Sequence, residues 1–253
     1  MLTRDPVRAQ HLRGVAEIRT GDIRQRASLT AAVSGAESVV SAVHGFVGPG
    51  RVTPDSVDRR GNIDLIDLAA AQSASVILVS VVGAAVDSPF ELSRAKYSAE
   101  AHLRAAGTPW TIVRASPFLE TWVEILSKGV IFGRGMNPVN FVSVHDVAAA
   151  VVESALRPEW RGEVLEVGGQ DMTLNELAAL VEELAPRSRR YRHVPRGMLR
   201  VLAPLLRPAR AALIMDTTDV RPPTALRPAD LPLTDVRDAV SFALMASRSE
   251  DTN

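Results

Sequence analysis

Among the residues able to do chemistry, Lys96 has the most telling neighbours. It follows Leu92 by four residues and precedes Ala99 and Leu103 by three and seven. On a helix it therefore shares the apolar stripe of Leu92, Ala95, Ala99, Leu103 and Ala106. A lysine on such a stripe either covers apolar surface with its stem while the amine reaches water, or keeps its charge inside a site against a partner. Few other reactive groups stand near it in pattern. Ser80 is a possible pocket hydroxyl, His44 is a lone titratable ring in a loop, and there is no cysteine. The absence of thiols excludes disulfides and thiolate metal sites and suits a reducing cytoplasm. Nothing in the sequence clusters histidines with carboxylates as a hydrolytic metal centre requires.

The elements around Lys96 read clearly. Residues 75–82 are a β-branched run of the buried-strand kind, 109–113 form a second, and the Lys96 helix lies between them. Ser88 before Pro89 marks the helix start; Gly107, with Pro109 beyond it, marks the stop. Strand, helix and returning strand make a right-handed βαβ unit. Open parallel sheets bind ligands at the carboxyl ends of their strands, here 80–86 and 115–118. The alternation runs through the chain. Residues 1–3 end a strand, 15–19 and 37–43 are strands, Ser28 caps a helix to Ser34, and 55–72 form another helix. Further on, 130–132, 141–144 and 163–167 read as strands. Asp146 reads as the N-cap of a helix over 147–156, with His145 beside it, and Thr173 with Glu176 as a capping box opening a helix to Leu184. This pattern predicts an α/β fold with a parallel sheet.

Composition sets bounds. The 253 residues include 29 basic and 29 acidic ones and are 46% hydrophobic, ordinary for a globular chain. The balance gives no reason to expect a nucleic-acid partner. Residues 1–10 lack the apolar core of a signal peptide. Residues 68–86 carry no charge, but Gln72, Ser73, Ser75, Ser80 and Gly83 divide them into helix end, strand and loop, so no membrane span is expected. The basic cluster 187–196 reads as solvated surface or a substrate-anion contact. Residues 198–215 combine leucines with arginines, as a helix pair lying on a membrane surface would; a lid over a pocket is the plainer reading. Residues 221–232 are a proline-rich linker, 234–246 a last helix, and 247–253 a disordered tail.

The segments VSVVGA (79–84), SRAKYSAE (93–100) and LRAAGTPWTIVRASPF (103–118) together resemble the NmrA-like branch of the atypical short-chain dehydrogenase/reductases. FVSVHDVA (141–148), GEVLEVGG (162–169) and TLNELAAL (173–180) extend the resemblance to about residue 246. It implies a Rossmann-like, doubly wound parallel sheet with a small substrate-side α+β part, divided as 1–118 for NAD(P) binding and 119–246 for the substrate side. It also implies that Lys96 lies near the nicotinamide ribose and that 115–118, with Pro117 and Phe118, line the nicotinamide pocket. Arg4 would meet the 2′-phosphate of NADP, which is weakly preferred over NAD. Asp22 would accept from the adenine amine, and Ala42, Val43 and His44 would pass the adenosine ribose. For Arg4 a solvated pairing with Asp5 or Asp22 is the alternative, and for Asp22 a turn-forming role.

The chain departs from the family pattern in two places. Leu92 stands where a Tyr-x-x-x-Lys pair needs tyrosine, and Tyr97 has Ala101 four residues on. The family's first strand, glycine-rich loop and first helix, roughly 30 residues, have no counterpart; Gly45, Gly48 and Gly50, with Pro49 among them, read as an ordinary loop. Such a chain reads as N-terminally truncated, or as a natural variant that fills the gap with another segment or partner. Either way the second and fourth family strands are expected to part, leaving two unpaired inner edges. Without glycines at the pyrophosphate turn, cofactor binding is expected to be impaired. The implied function is an NADP-dependent oxidoreductase acting on a small molecule, with Lys96 and Ser80 on the catalytic side. The alternative is a non-catalytic NAD(P)-sensing regulator. The expected setting is cytoplasmic, with no nucleic-acid or membrane partner.

Overall fold

The computed structural model describes residues 1–7, 9–46, 52–185, 190–219, 221 and 231–250, with side chains to 246 in the last stretch. Gly48 and Gly50, residues 187–189 of the basic cluster, most of the 221–232 linker and 251–253 lie outside the described residues. In chain order the strands are β1 (Leu2–Thr3), β2 (Arg19–Thr20), β3 (Ser38–Ser41), β4 (Ser75–Val81), β5 (Trp110–Ala115), β6 (Val130–Phe132), β7 (Pro138–Phe141), β8 (Val164–Val167), β9 (Gln170–Thr173) and β10 (Arg192–Val194). The helices are α1 (Arg26–Val33), α2 (Asn62–Ala71), α3 (Glu91–Ala105), α4 (Leu119–Ser127), α5 (Val144–Leu156), α6 (Leu174–Leu184), α7 (Arg196–Leu202), α8 (Arg207–Thr217) and α9 (Val236–Glu250).

The main sheet has the order β3-β4-β5-β8, and β3 runs parallel to β4 with Ser38 opposite Ser75. β1 and β2 pair in parallel as a separate ribbon. Among the described residues β1 has no partner besides β2, and β3 none besides β4. β7 and β9 pair antiparallel, and β6 pairs with β10 in parallel.

Contacts divide the chain into two compact units, one of 1–80, 84–112 and 154–164, the other of 81–83, 113–153 and 165–253. The core of the first joins Leu29 and Val33 of α1, Ile66 and Ala69 of α2, Val76 and Leu78 of β4, and Ala99 and Leu103 of α3. The core of the second joins Leu119, Val123 and Leu126 of α4, Phe141 of β7, Leu177 and Val181 of α6, and Val240 of α9. Each helix contributes the stripe that its three- and four-residue spacing forecasts.

Several boundaries differ from expectation, each for a local reason. The amides of Val15 and Ala16 turn back to Leu12 O, so of the expected 15–19 strand only Arg19, with Thr20 beyond it, pairs with β1. α1 starts two residues before Ser28; Gln25 supplies the carbonyl that accepts from Ser28 and Leu29 N. α3 starts at Glu91 rather than at Pro89, while its stop at Gly107, with φ 71°, is as read. The expected 55–72 helix is π-helical over Asp55–Gly61 before becoming α2. α5 starts at Val144, and Asp146 sits inside its first turn, where Oδ1 accepts from Thr234 N (3.0 Å) and Thr234 Oγ1 (2.6 Å). Asp146 is thus a clasp on the segment leading to α9, not the expected N-cap. α9 carries on to Glu250, beyond the expected end at 246, since no glycine or proline stops it.

Candidate functional site

In the first unit, α3 aims Lys96 at the carboxyl ends of β3 and β4. Its Nζ donates to Val43 O (2.8 Å), just past β3, and to Val79 O (2.9 Å) within β4. It also lies 3.1 Å from Oδ1 of Asp58, with Lys96 3% exposed and Asp58 0%. Three oxygens thus surround the three ammonium donors, the Asp58 contact being an ion pair whose angle is poor for a hydrogen bond. Burial pushes the Lys96 amine down in pKa, and the Asp58 carboxylate, with Glu100 behind it, works against that.

The supports are buried as well. Asp58 Oδ2 accepts from Gly45 N (2.7 Å), Asp58 O accepts from Asn62 Nδ2 (2.8 Å), and Asn62 Oδ1 accepts from Ser41 Oγ (2.5 Å). Gly45 fits only as glycine, because a Cβ there would run into the Thr53 carbonyl and Val57. Ser80 Oγ donates to Glu100 Oε1 (2.6 Å), and Arg104 Nη2 donates to Glu100 Oε2 (3.0 Å). Lys96, Glu100 and Arg104 therefore form an alternating charge ladder at four-residue steps along α3.

The remaining expected residues of this unit lie at strand ends. Arg4 follows β1, is exposed, and makes no hydrogen bond or ion pair among the described residues. Asp22 follows β2 and is taken by Arg24, whose Nε reaches both carboxylate oxygens at 3.0 Å and whose backbone N donates to Oδ1 at 2.9 Å. The Arg24 hydrogen bond holds the Asp22 carboxyl below its ordinary pKa, so the turn-forming alternative describes its present contacts. Ala42 and His44 are exposed, and Val43 gives its carbonyl to Lys96. Crowding of the His44 ring by protein lowers its pKa, aided by the charges of Lys96 and Arg4 and opposed by Asp58. The structure thus brings Lys96 and Val43 together directly, links Ser80 to them through Glu100, and leaves Arg4 and Asp22 on the β1–β2 ribbon.

Pro117 and Phe118 belong to the second unit. Pro117 O accepts from Val142 N (3.1 Å), and Phe118 is the extended residue before α4. Just ahead of them Ser116 is buried, and its Oγ has no hydrogen-bond partner among the described residues. The same unit contains a cavity of about 10 Å³ whose lining includes Trp122, Phe132, Val139, Leu174, Met215 and Asp216. Asp216 accepts from Arg134 N (2.9 Å) and from Arg196 Nε.

Asp58, Asn62, Glu100 and Arg24 escaped the sequence reading. A signal for the first two existed: Val57, Asp58, Gly61, Asn62, Leu65, Ile66 and Ala69 are the buried positions of their helix, at the spacing that singled out Lys96.

A family model described as NAD(P)H-binding matches residues 1–158. The chain belongs to the NAD(P)H-binding family. Within it the chain is similar to the NAD(P)H azoreductase of Xenophilus azovorans, 29% identical over 201 residues, covering 75% of this chain and 66% of that protein. It is also similar to the mitochondrial NADH dehydrogenase (ubiquinone) 1 alpha subcomplex subunit 9 of Arabidopsis thaliana, 33% identical over 140 residues, covering 50% of this chain and 35% of that one. The chain thus spans about two thirds of the first relative's length and about a third of the second's. Among solved structures, the Citrobacter sp. triphenylmethane reductase complexed with NADP(H) superposes with a TM-score of 0.75 at 19% identity, covering 96% of this chain and 89% of that one. The NAD(P)H-binding chain therefore has a Rossmann-like α/β fold.

Proposed function

We propose that the chain is an NADP-dependent oxidoreductase acting on a small molecule. The observation that carries this reading is Lys96, a buried ammonium fixed beside the buried Asp58 carboxylate where two parallel strands end. The names of the azoreductase and triphenylmethane reductase support it. The residues present fit the cofactor in part. Arg4 offers a guanidinium that no described residue engages, suited to the 2′-phosphate of NADP, while no glycine fingerprint precedes a helix. In this reading Lys96 positions the nicotinamide ribose, and Ser80 orients Glu100 behind it. Asp22, Ala42, Val43 and His44 border the adenosine end. The bound nicotinamide supplies the hydride.

A titration with NADPH and NADH, read by fluorescence and by the shift in unfolding temperature, tests binding. NADPH consumption with a panel of quinone and azo acceptors then tests turnover. The expected outcome is preferred NADPH binding followed by acceptor-dependent oxidation. A folded chain that binds neither nucleotide sinks the reading. Binding without turnover by any acceptor favours the second reading, a non-catalytic NAD(P) sensor, for which Leu92 in place of a tyrosine acid speaks.

A further inference from the structure

Residues 186–215 hold eight arginines and neither Asp nor Glu, in a chain whose basic and acidic residues balance overall at 29 each. The structure gives this charge asymmetry a shape. α7 and α8 form a hairpin whose inner face, Leu199, Ala209 and Ala212, is buried against Phe132, Val194 and Leu213. Its outer face is apolar too. Met198, Val201 and Leu205 recur at three and four residues and are 47%, 73% and 81% exposed, with Leu206 at 49% beside them. Four large apolar side chains within nine residues thus face solvent on α7 and on the turn that joins it to α8. Exposed Arg200, Arg207 and Arg210 flank that turn, and exposed Arg190 and Arg192 precede it. The first acid after them, Asp216, is buried and bound by Arg196, so it does not offset the arginines at the tip.

We propose that this α7–α8 tip docks on an anionic lipid surface, with Val201, Leu205 and Leu206 entering the headgroup region and the arginines contacting lipid phosphates. An apolar tip ringed by fixed positive charge is what an interfacial contact requires. The other occupants fit less well. A nucleic-acid single strand calls for aromatic stacking platforms, and the one tyrosine of the stretch, Tyr191, gives its hydroxyl to Ala178 O; a duplex backbone would meet the arginines but leave the exposed leucines without apolar cover. Four side chains on a turn fall short of the roughly 800 Å² per partner that a stable dimer buries. No described helix is long and apolar enough to cross a membrane, and a surface contact needs none. The proposal departs from the expectation of no membrane partner by adding a contact with a surface.

Co-sedimentation of the full chain with vesicles of phosphatidylcholine, alone or mixed with phosphatidylglycerol, tests it. The chain is expected to pellet with the mixed vesicles and to stay in solution with the neutral ones. Leu205→Ser with Leu206→Ser, and separately Arg200→Gln with Arg210→Gln, are each expected to weaken binding by about tenfold or more, each surface arginine contributing roughly fivefold. Raising the salt is expected to weaken binding of the parent chain more than that of the arginine variant. Both variants alter exposed side chains, so an unchanged unfolding transition checks that they fold. Failure to pellet with anionic vesicles overturns the proposal, as does pelleting that the leucine pair leaves unchanged. A dimer in gel filtration that the leucine variant dissociates also overturns it, in favour of a contact between copies.

Discussion

Taking away the Lys96 amine alone would leave the Asp58 carboxylate buried with Gly45 N as its one side-chain-directed donor among the described residues. An uncompensated buried charge is costly, so Lys96→Met is expected to destabilise the fold by roughly 3–5 kcal/mol in chemical denaturation. Lys96→Met combined with Asp58→Leu is expected to recover most of that loss, because the pair then leaves no orphaned charge. A double variant as unstable as the single one would mean that Asp58 matters through Gly45 and not through Lys96. His44 carries the pH prediction. Its folded pKa is below that of the unfolded chain, so between the two values the unfolded state binds more protons. Stability is then expected to rise with pH from the native His44 value to about 6.5 and to level off above it. His44→Gln should flatten that segment of a stability–pH curve. At this scale the sequence was half legible. Lys96 stood out by lying on an apolar stripe, while Asp58 and Asn62, which lie on an equally regular one, went unremarked. The capture of Asp22 by Arg24 depends on a turn whose geometry the residue types alone do not settle.

Elements were legible where their ends are locally determined. The Thr173–Glu176 capping box forms as read, with both reciprocal hydrogen bonds, and Gly107 ends α3 in the left-handed conformation. Starts decided by longer-range packing were missed by two residues or more, as at α1, α3 and α5, and a π-helical stretch such as Asp55–Gly61 has no periodicity that distinguishes it in advance. The end of α2 permits a direct test. Ser73 sits there with φ 59°, and Ser73 N and Ala74 N turn back to Ala70 O and Ala69 O, the hydrogen bonds of a glycine-type helix stop without the glycine. Ser73→Gly removes a left-handed strain of about 1 kcal/mol, and the unfolding temperature is expected to rise by roughly 2–4 °C. A lower unfolding temperature would show that the added freedom of the unfolded chain outweighs the relief.

For the molecule as a whole, the sequence pattern indicated a parallel α/β arrangement, and the strands that became β1 and β3 were expected to part; among the described residues β1 pairs with β2 and β3 with β4. The division of contacts into two interleaved units was not legible, because it cuts through β4, β5 and β8 at points that no composition change marks. The parting has a kinetic consequence. The β1–β2 ribbon can open without breaking a rung of the four-stranded sheet, so it should behave as its own low-stability foldon. The amides of Arg19 and Gly21, which bond to Met1 O and Thr3 O, are expected to exchange with deuterated solvent well before that of Val76, which bonds to Pro109 O. Arg4 and Asp22 ride on that ribbon, so a nucleotide gripping them would have to order it first, and added NADPH should slow exchange at Arg19 and Gly21 more than at Val76.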